Sequence, residues 1–175
     1  MQRDKARGVQ IAIPLRSILW QFGLHVLCPC WRRYTKNMNV TYLQLIPGVE
    51  PPHLNCEKPF RAVVVVEDIV QEDWQHAVSH WLVLSECLYM LAWGIECSSW
   101  DDSVDFAILE KHDFNEIPDE QFVMTTWHEK ESLEDVFTFS KYGAFHSDAE
   151  LVHTLILHVC STNKESEFLS SYDSV

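Results

Sequence analysis

The run RAVVVV at residues 61–66 constrains the fold of this chain more than any other segment. Six residues are too few for a helix of ordinary length, and four consecutive β-branched valines favour an extended strand. A strand without alternating polar residues is typical of a sheet that is covered on both faces. We therefore predict a central strand here, with helices packed on each side of the sheet.

The remaining pattern predicts further strands and helices. A helix is expected over residues 72–94, because its apolar side chains recur at the helical period and Gly94 can end it. A second helix should start near residues 129–132, where acids favour the positive end of the helix dipole. Strands are expected at residues 41–46, 104–109, 122–127 and, after one helical turn with a capping-box pattern at 147–150, within 151–160.

In chain order these elements are strand, helix, two strands, helix and strand, with an optional leading edge strand. This order predicts an α/β fold, a small sandwich around a mixed sheet of four to five strands. A ferredoxin-like two-layer α+β plait is the alternative, if both helices cover one face. The apolar run at 61–66 favours the three-layer arrangement.

The charge of the chain changes sign at Met38. Residues 1–37 contain seven basic residues and one acid, whereas residues 38–175 contain six basic residues and 25 acids. We interpret residues 38–165 as a single α/β domain and residues 1–37 as a basic extension, either poorly ordered or an over-called start of translation. The polar residues 166–175 are expected to form a frayed tail.

The composition argues against several classes of protein. A net charge of −13 argues against nucleic-acid binding, which needs a basic face. The chain lacks an uninterrupted apolar stretch of about 20 residues, so no membrane association is predicted. Six cysteines without a C-x-x-C pair predict reduced thiols in a cytoplasmic protein. Glycine-rich phosphate-binding motifs are missing, and no cofactor is predicted.

Four strings in the sequence are distinctive: VVVVED at 63–68, SSWDDSVD at 98–105, FVMTTWHEKESL at 122–133 and HTLILHV at 153–159. Together they resemble a bacterial family of a domain of unknown function, over roughly residues 60–160. The resemblance implies a small α/β protein, and it implies no activity, cofactor or partner.

Candidate functional residues lie where predicted strands end: Glu67, Asp68, Thr126, Trp127 and His128. The first two follow one strand, and the other three lie at the end of another. Ligands of parallel α/β sheets bind at the carboxyl ends of strands, so these residues would converge on one edge if the two strands are parallel. The alternative is that Thr126 caps the next helix and His128 only covers the edge.

Two further groups are weighed as metal ligands. Trp100, Asp101 and Asp102 lie in a polar segment. Clustered carboxylates can hold Mg²⁺ or Mn²⁺, although their more common role is to cap helices or to stabilise turns. His76 and His80 have the spacing of two zinc ligands on a helix. A solvated helix face is the expected role of this pair, so no metal site is predicted.

Two functions fit these features. The first is a non-enzymatic, acidic interaction module of the antitoxin or immunity kind that binds a basic protein, through Trp100, Asp101, Asp102, Thr126, Trp127 and His128. The second is a small metal-assisted hydrolase or nuclease that uses His128, Asp101, Asp102, Glu67 and Asp68. An enzyme requires His128 to meet these acids in a concave site. A binding module requires an exposed aromatic patch rimmed by acids. The acidity of the whole domain favours the first.

Overall fold

The strands form one parallel sheet. A computed structural model describes residues 39–175, and the prediction for residues 1–37 lies outside that range. Within it the sheet has five strands in the order β1-β5-β2-β3-β4, and every neighbouring pair is parallel. The strands are β1 (Asn39–Leu45), β2 (Phe60–Val66), β3 (Cys87–Gly94), β4 (Met124–His128) and β5 (His153–Val159).

Four helices cover the two faces of this sheet: α1 (Glu72–Leu84), α2 (Cys97–Lys111), α3 (Leu133–Tyr142) and α4 (Glu165–Ser174). The alternate side chains of β2 show the layering. Ala62, Val64 and Val66 pack in the core under α1 and α2, whereas Val63 and Val65 pack in the core under α3 and α4. All seven residues of β2 are buried, so the predicted α/β sandwich with a five-stranded sheet and three layers is confirmed.

The mixed character of the predicted sheet is corrected, because all strands are parallel. A helix precedes each strand after β2 along the chain. Such a helical crossover returns the chain to the end of the sheet where the previous strand began, so the next strand is parallel to it. The two consecutive strands predicted at 104–109 and 122–127 therefore do not exist as such. The second is β4, which begins at Met124, while the first is part of α2.

The predicted helix at 72–94 is correct only in its first half. Helix α1 ends at Leu84, and Glu86 takes a left-handed backbone conformation that turns the chain into β3. Residues 87–93 are apolar nearly all round, and such a run does not distinguish a buried helix from a buried strand. Gly94 ends a strand instead: its φ is +101°, and a Cβ there would lie 2.1 Å from the carbonyl oxygen of Val66.

The segment predicted as a strand at 104–109 lies inside α2. Trp100, Val104, Ala107 and Ile108 are buried along one side of this helix, at helical spacing. The polar residues 98–103 therefore form the first turns of a helix and are not a connecting loop. None of the helices in residues 39–175 has the length and apolar character that crossing a bilayer requires.

The end of the chain is ordered and packed. Residues 166–174 belong to α4 and Val175 caps its end, so the prediction of a frayed tail is wrong. Phe168 and Tyr172, one helical turn apart, are 3% and 1% exposed against the sheet. The capping-box pattern at 147–150 does not begin a helical turn, since Ser147 hydrogen-bonds Asp148 in an irregular segment before β5. The helix predicted near 129–132 is α3, which Ser132 caps by accepting from the Asp135 amide at 3.2 Å.

Candidate functional site at the carboxyl end of the sheet

The strand order creates a topological switch point between β2 and β5. From β2 the chain moves through α1 to β3 and through α2 to β4, and then α3 carries it back to β5 on the other side of β2. If β2, β3, β4 and β5 are numbered 1 to 4, their order across the sheet is 3-2-1-4, which is the order of doubly wound sheets. Such sheets bind ligands in the crevice at the carboxyl ends of the two strands that flank the switch point.

A polar network fills this position. Glu67 directly follows β2, and His158 lies near the end of β5. The Nε2 atom of His158 is 3.0 Å from Oε2 of Glu67, while Nζ of Lys164 donates to Oε1 of the same carboxylate at 2.7 Å. Both oxygens of Glu67 are therefore engaged by residues of the C-terminal part of the chain.

The other side of His158 is held by Tyr42 of β1. The Tyr42 hydroxyl lies 2.7 Å from Nδ1 of His158 and accepts from the backbone N–H of Lys164 at 3.1 Å. The imidazole is fully buried, and its ring packs against Phe168 of α4 with 4.7 Å between centroids. Strands β1, β5 and β2 and helix α4 thus meet at one histidine.

The charge state of Glu67 follows from these contacts. Burial alone would raise its pKa, but the hydrogen bonds from Lys164 and His158 outweigh burial and hold the pKa below its ordinary value. The Glu67 carboxylate is therefore ionised at neutral pH. Asp68 has a different role: its Oδ2 accepts a hydrogen bond from the Ser161 amide at 2.7 Å, which joins the end of β2 to the segment after β5.

His128 lies at the same end of the sheet but in a different neighbourhood. Its Nε2 is 3.2 Å from Oγ1 of Thr126, and its ring packs against Phe139 of α3. Burial lowers the pKa of His128, so the ring is neutral at pH 7. Strand β3 lies between β4 and β2, so the backbones of these two strands are roughly 10 Å apart at the usual strand spacing. The parallel strands thus bring Glu67 and His128 to the carboxyl end of the sheet, but Glu67 contacts His158 and not His128.

The candidates on α2 are divided between core and surface. Trp100 is 1% exposed and belongs to the core, while Asp102 is exposed. Asp105 accepts from the Thr125 hydroxyl of β4 at 3.2 Å. Desolvation and the nearby charge of Asp101 raise the pKa of Asp105 to about 6.

His76 and His80 share one acidic partner. Their Nε2 atoms lie 2.9 and 3.4 Å from Oε2 of Glu110 on α2, and all three side chains are about one-third exposed. The pair therefore links α1 to α2 at the surface of the domain.

Sequence reasoning missed Tyr42, His158, Cys160 and Lys164. A histidine inside the apolar run HTLILHVC needs a polar partner when it is buried, and this was a usable signal for His158. The identity of the partner was not readable, because Glu67 is 91 residues away and becomes a neighbour only through the strand order.

The parallel order and the switch point define a doubly wound α/β domain. By comparison with family models, the chain belongs to the family called Domain of unknown function (DUF7684), whose model matches residues 40–175. The predicted membership of a family of unknown function is thereby confirmed, and bacterial origin stays a prediction. The comparison with curated proteins found no match, and the comparison with solved structures found none either.

Proposed function

We propose that the domain is a non-enzymatic interaction module, of the antitoxin or immunity kind, that binds a basic segment of a partner protein along the outer edge of β4. The observation that carries the proposal is a free strand edge with exposed apolar side chains. Within residues 39–175, β4 pairs with β3 alone, and Met124 and Trp127 are 40% and 41% exposed.

The geometry of this edge suits an added strand. Alternation along β4 puts Thr125 and Trp127 on the α2 face of the sheet and Met124 on the other face. A strand paired to the edge would cover both exposed side chains, one on each face. Natural edge strands are commonly protected by lysine or proline, and the β4 sequence MTTWH contains neither.

Charge selects the kind of partner. Residues 38–175 carry six basic side chains against 25 acids, and exposed acids lie on both sides of β4 along the chain: Asp119, Glu120, Glu129 and Glu131. Pairing with a second copy of this acidic chain would bring like charges together. A partner segment rich in lysine or arginine would instead be attracted to the acids beside β4.

The hydrolase alternative is less well supported by the arrangement of the side chains. It required His128 to share a concave site with Glu67, Asp68 or the α2 acids. Glu67 is paired with His158 and Lys164, and His128 contacts Thr126 and Phe139. Within residues 39–175, the groups that the alternative brings together therefore have different hydrogen-bond and packing partners.

The test uses the full chain, ¹⁵N-labelled, and a peptide of alternating lysine and valine as the probe. We expect chemical-shift changes concentrated in β4, which weaken as salt is added because exposed charges are screened. The variant Trp127→Lys should reduce binding at least about fivefold by adding a like charge at the edge.

Two controls give the test its direction. Leu84→Lys makes the same change at another exposed apolar residue, at the end of α1, and should bind the peptide almost as the wild type does. A peptide with glutamate in place of lysine should not bind. Equal binding of the two peptides, or shift changes spread away from β4, would contradict the proposal.

A further inference from the structure

We propose that Glu67, His158 and Cys160 form a binding site for a divalent transition-metal ion of the zinc type. Within the described part of the chain these three side chains form one group in which a ligand atom of each lies within 4.8 Å of the others. Two donors bound to one tetrahedral zinc ion lie about 3.6 Å apart, because Zn–S is about 2.3 Å, Zn–N is about 2.1 Å and the angle between them is about 109°. The donor atoms that are farthest apart must therefore approach each other by up to about 1.2 Å to bind one ion, a movement that rotation of the Glu67 side chain can supply.

The donor chemistry is that of a zinc site. A thiolate, an imidazole and a carboxylate together suit zinc better than Mg²⁺ or Ca²⁺, which prefer oxygen ligands. Three protein ligands occupy three tetrahedral positions and leave the fourth for water. The site lies at the switch point between β2 and β5 and is separate from the β4 edge.

The imidazole is already oriented. Nδ1 of His158 is engaged by the Tyr42 hydroxyl at 2.7 Å, so Nε2 is the nitrogen that faces Glu67. Ligating histidines commonly have such a partner on the other ring nitrogen, which fixes the ring and the tautomer. A metal ion takes the lone pair of Nε2, so the single proton of the neutral ring must lie on Nδ1, which then donates to the Tyr42 oxygen.

The backbone around the three donors is also fixed. The amides of Glu67 and Asp68 both donate to the carbonyl of Val159, at 3.1 and 3.3 Å, which joins the ends of β2 and β5. The amide of Cys160 donates to the carbonyl of Leu45 in β1 at 3.3 Å, and the Cys160 sulfur accepts from the Thr162 amide. Backbone hydrogen bonds between β1, β2 and β5 therefore hold the three donor residues at the carboxyl end of the sheet.

One side chain competes with the ion. The ammonium group of Lys164 lies 2.7 Å from Glu67 and supplies the positive charge that an ion would bring. The Lys164 side chain is about one-third exposed, so it can turn into solvent when a metal takes its place. Removal of this competing charge should strengthen metal binding.

The experiment titrates Co²⁺ into the chelator-treated full chain and follows the thiolate-to-metal absorption band, with Zn²⁺ as the competitor. We expect one equivalent of Co²⁺ to produce the band and Zn²⁺ to abolish it. Cys160→Ser should remove the band and weaken Zn²⁺ binding at least about 100-fold, since even loss of an outer partner of a ligand costs 10- to 100-fold. Lys164→Met should keep the band and tighten binding about tenfold.

Three controls decide the outcome. Cys56→Ser, at a half-buried free thiol, should leave the band unchanged, and so should the double variant Cys28→Ser with Cys30→Ser. The Cys160→Ser protein should melt at the wild-type temperature without metal, which shows that it is folded. A band that persists in Cys160→Ser, that disappears in the Cys28/Cys30 variant, or that never forms would overturn the site.

Discussion

The carboxyl ends of β2, β5 and β4 lie at the same end of one sheet, but polar groups have different surroundings at the switch point and at β4. At the switch point, His158 is fully buried and both of its ring nitrogens have partners. At β4, the polar groups of Thr125 and Asp105 pair locally, and large apolar side chains are exposed. A strand in the middle of the sheet must satisfy its polar groups within the protein, whereas an edge strand can leave them to water or to a partner.

The largest expected effect distinguishes the packed C-terminal helix from the exposed surface. Phe168→Ala should lower the free energy of unfolding by about 3–5 kcal/mol, because the ring is 3% exposed and packs between His158, Tyr42 and Phe137. Urea denaturation measures this change. The matched variant Phe106→Ala, at a ring that is 46% exposed, should cost less than about 1 kcal/mol. Similar costs at the two positions would mean that α4 does not contribute to the core as described.

A smaller effect tests the hydrogen bonds at the switch point. Tyr42→Phe removes the hydroxyl that pairs with His158 and with the Lys164 amide, and the expected loss of stability is about 1–2 kcal/mol. The change keeps the aromatic ring and its packing. Tyr142→Phe, at a side chain that is 59% exposed, should be nearly neutral under the same denaturation conditions. A neutral Tyr42→Phe would show that the network is not important for stability.

The smallest effect concerns pH dependence beside β4. The pKa of Asp105 is raised from 3.8 to about 6, so the folded protein holds more protons than the unfolded chain between these pH values. This carboxyl therefore makes stability fall as pH rises from about 4 to 6. Asp105→Asn removes the dependence and should stabilise the protein at pH 7 by less than about 1 kcal/mol, since the residue is exposed and its charge is screened.

Thermal melting at pH 4 and pH 7 measures this difference. Asp119→Asn makes the same change of charge at another exposed position and should retain the wild-type difference between the two pH values. If Asp105→Asn destabilised the protein at pH 7 and not at pH 4, the sign of the pKa shift would be wrong.

Local sequence pattern was sufficient for several elements. The valine run predicted β2, because a β-branched segment without polar alternation fits only a strand that is buried on both faces. The strand of β4 and the start of α3 were predicted at nearly the observed residues, since Ser132 and the acids after it form a local helix start. The candidates at the ends of β2 and β4 were placed at one edge of the sheet by the same reasoning.

The errors have two different physical causes. Residues 87–92 are buried on all sides, so the periodicity that separates helix from strand is lost, and β3 was taken for the end of α1. In α4, Phe168 and Tyr172 lie one turn apart in a polar segment, and only the tertiary structure shows that they pack in the core beside β2 and α3.

What the sequence determined by itself was therefore the class of the fold, its central strand and the acidic, apolar character of the β4 region. These depend on side chains within a few residues of one another. The tertiary structure decided the parallel strand order, and with it the pairing of Glu67 with His158 across 91 residues. That pairing depends on which strand lies beside β2, and strand order results from the packing of helices on both faces of the sheet, which no local pattern encodes.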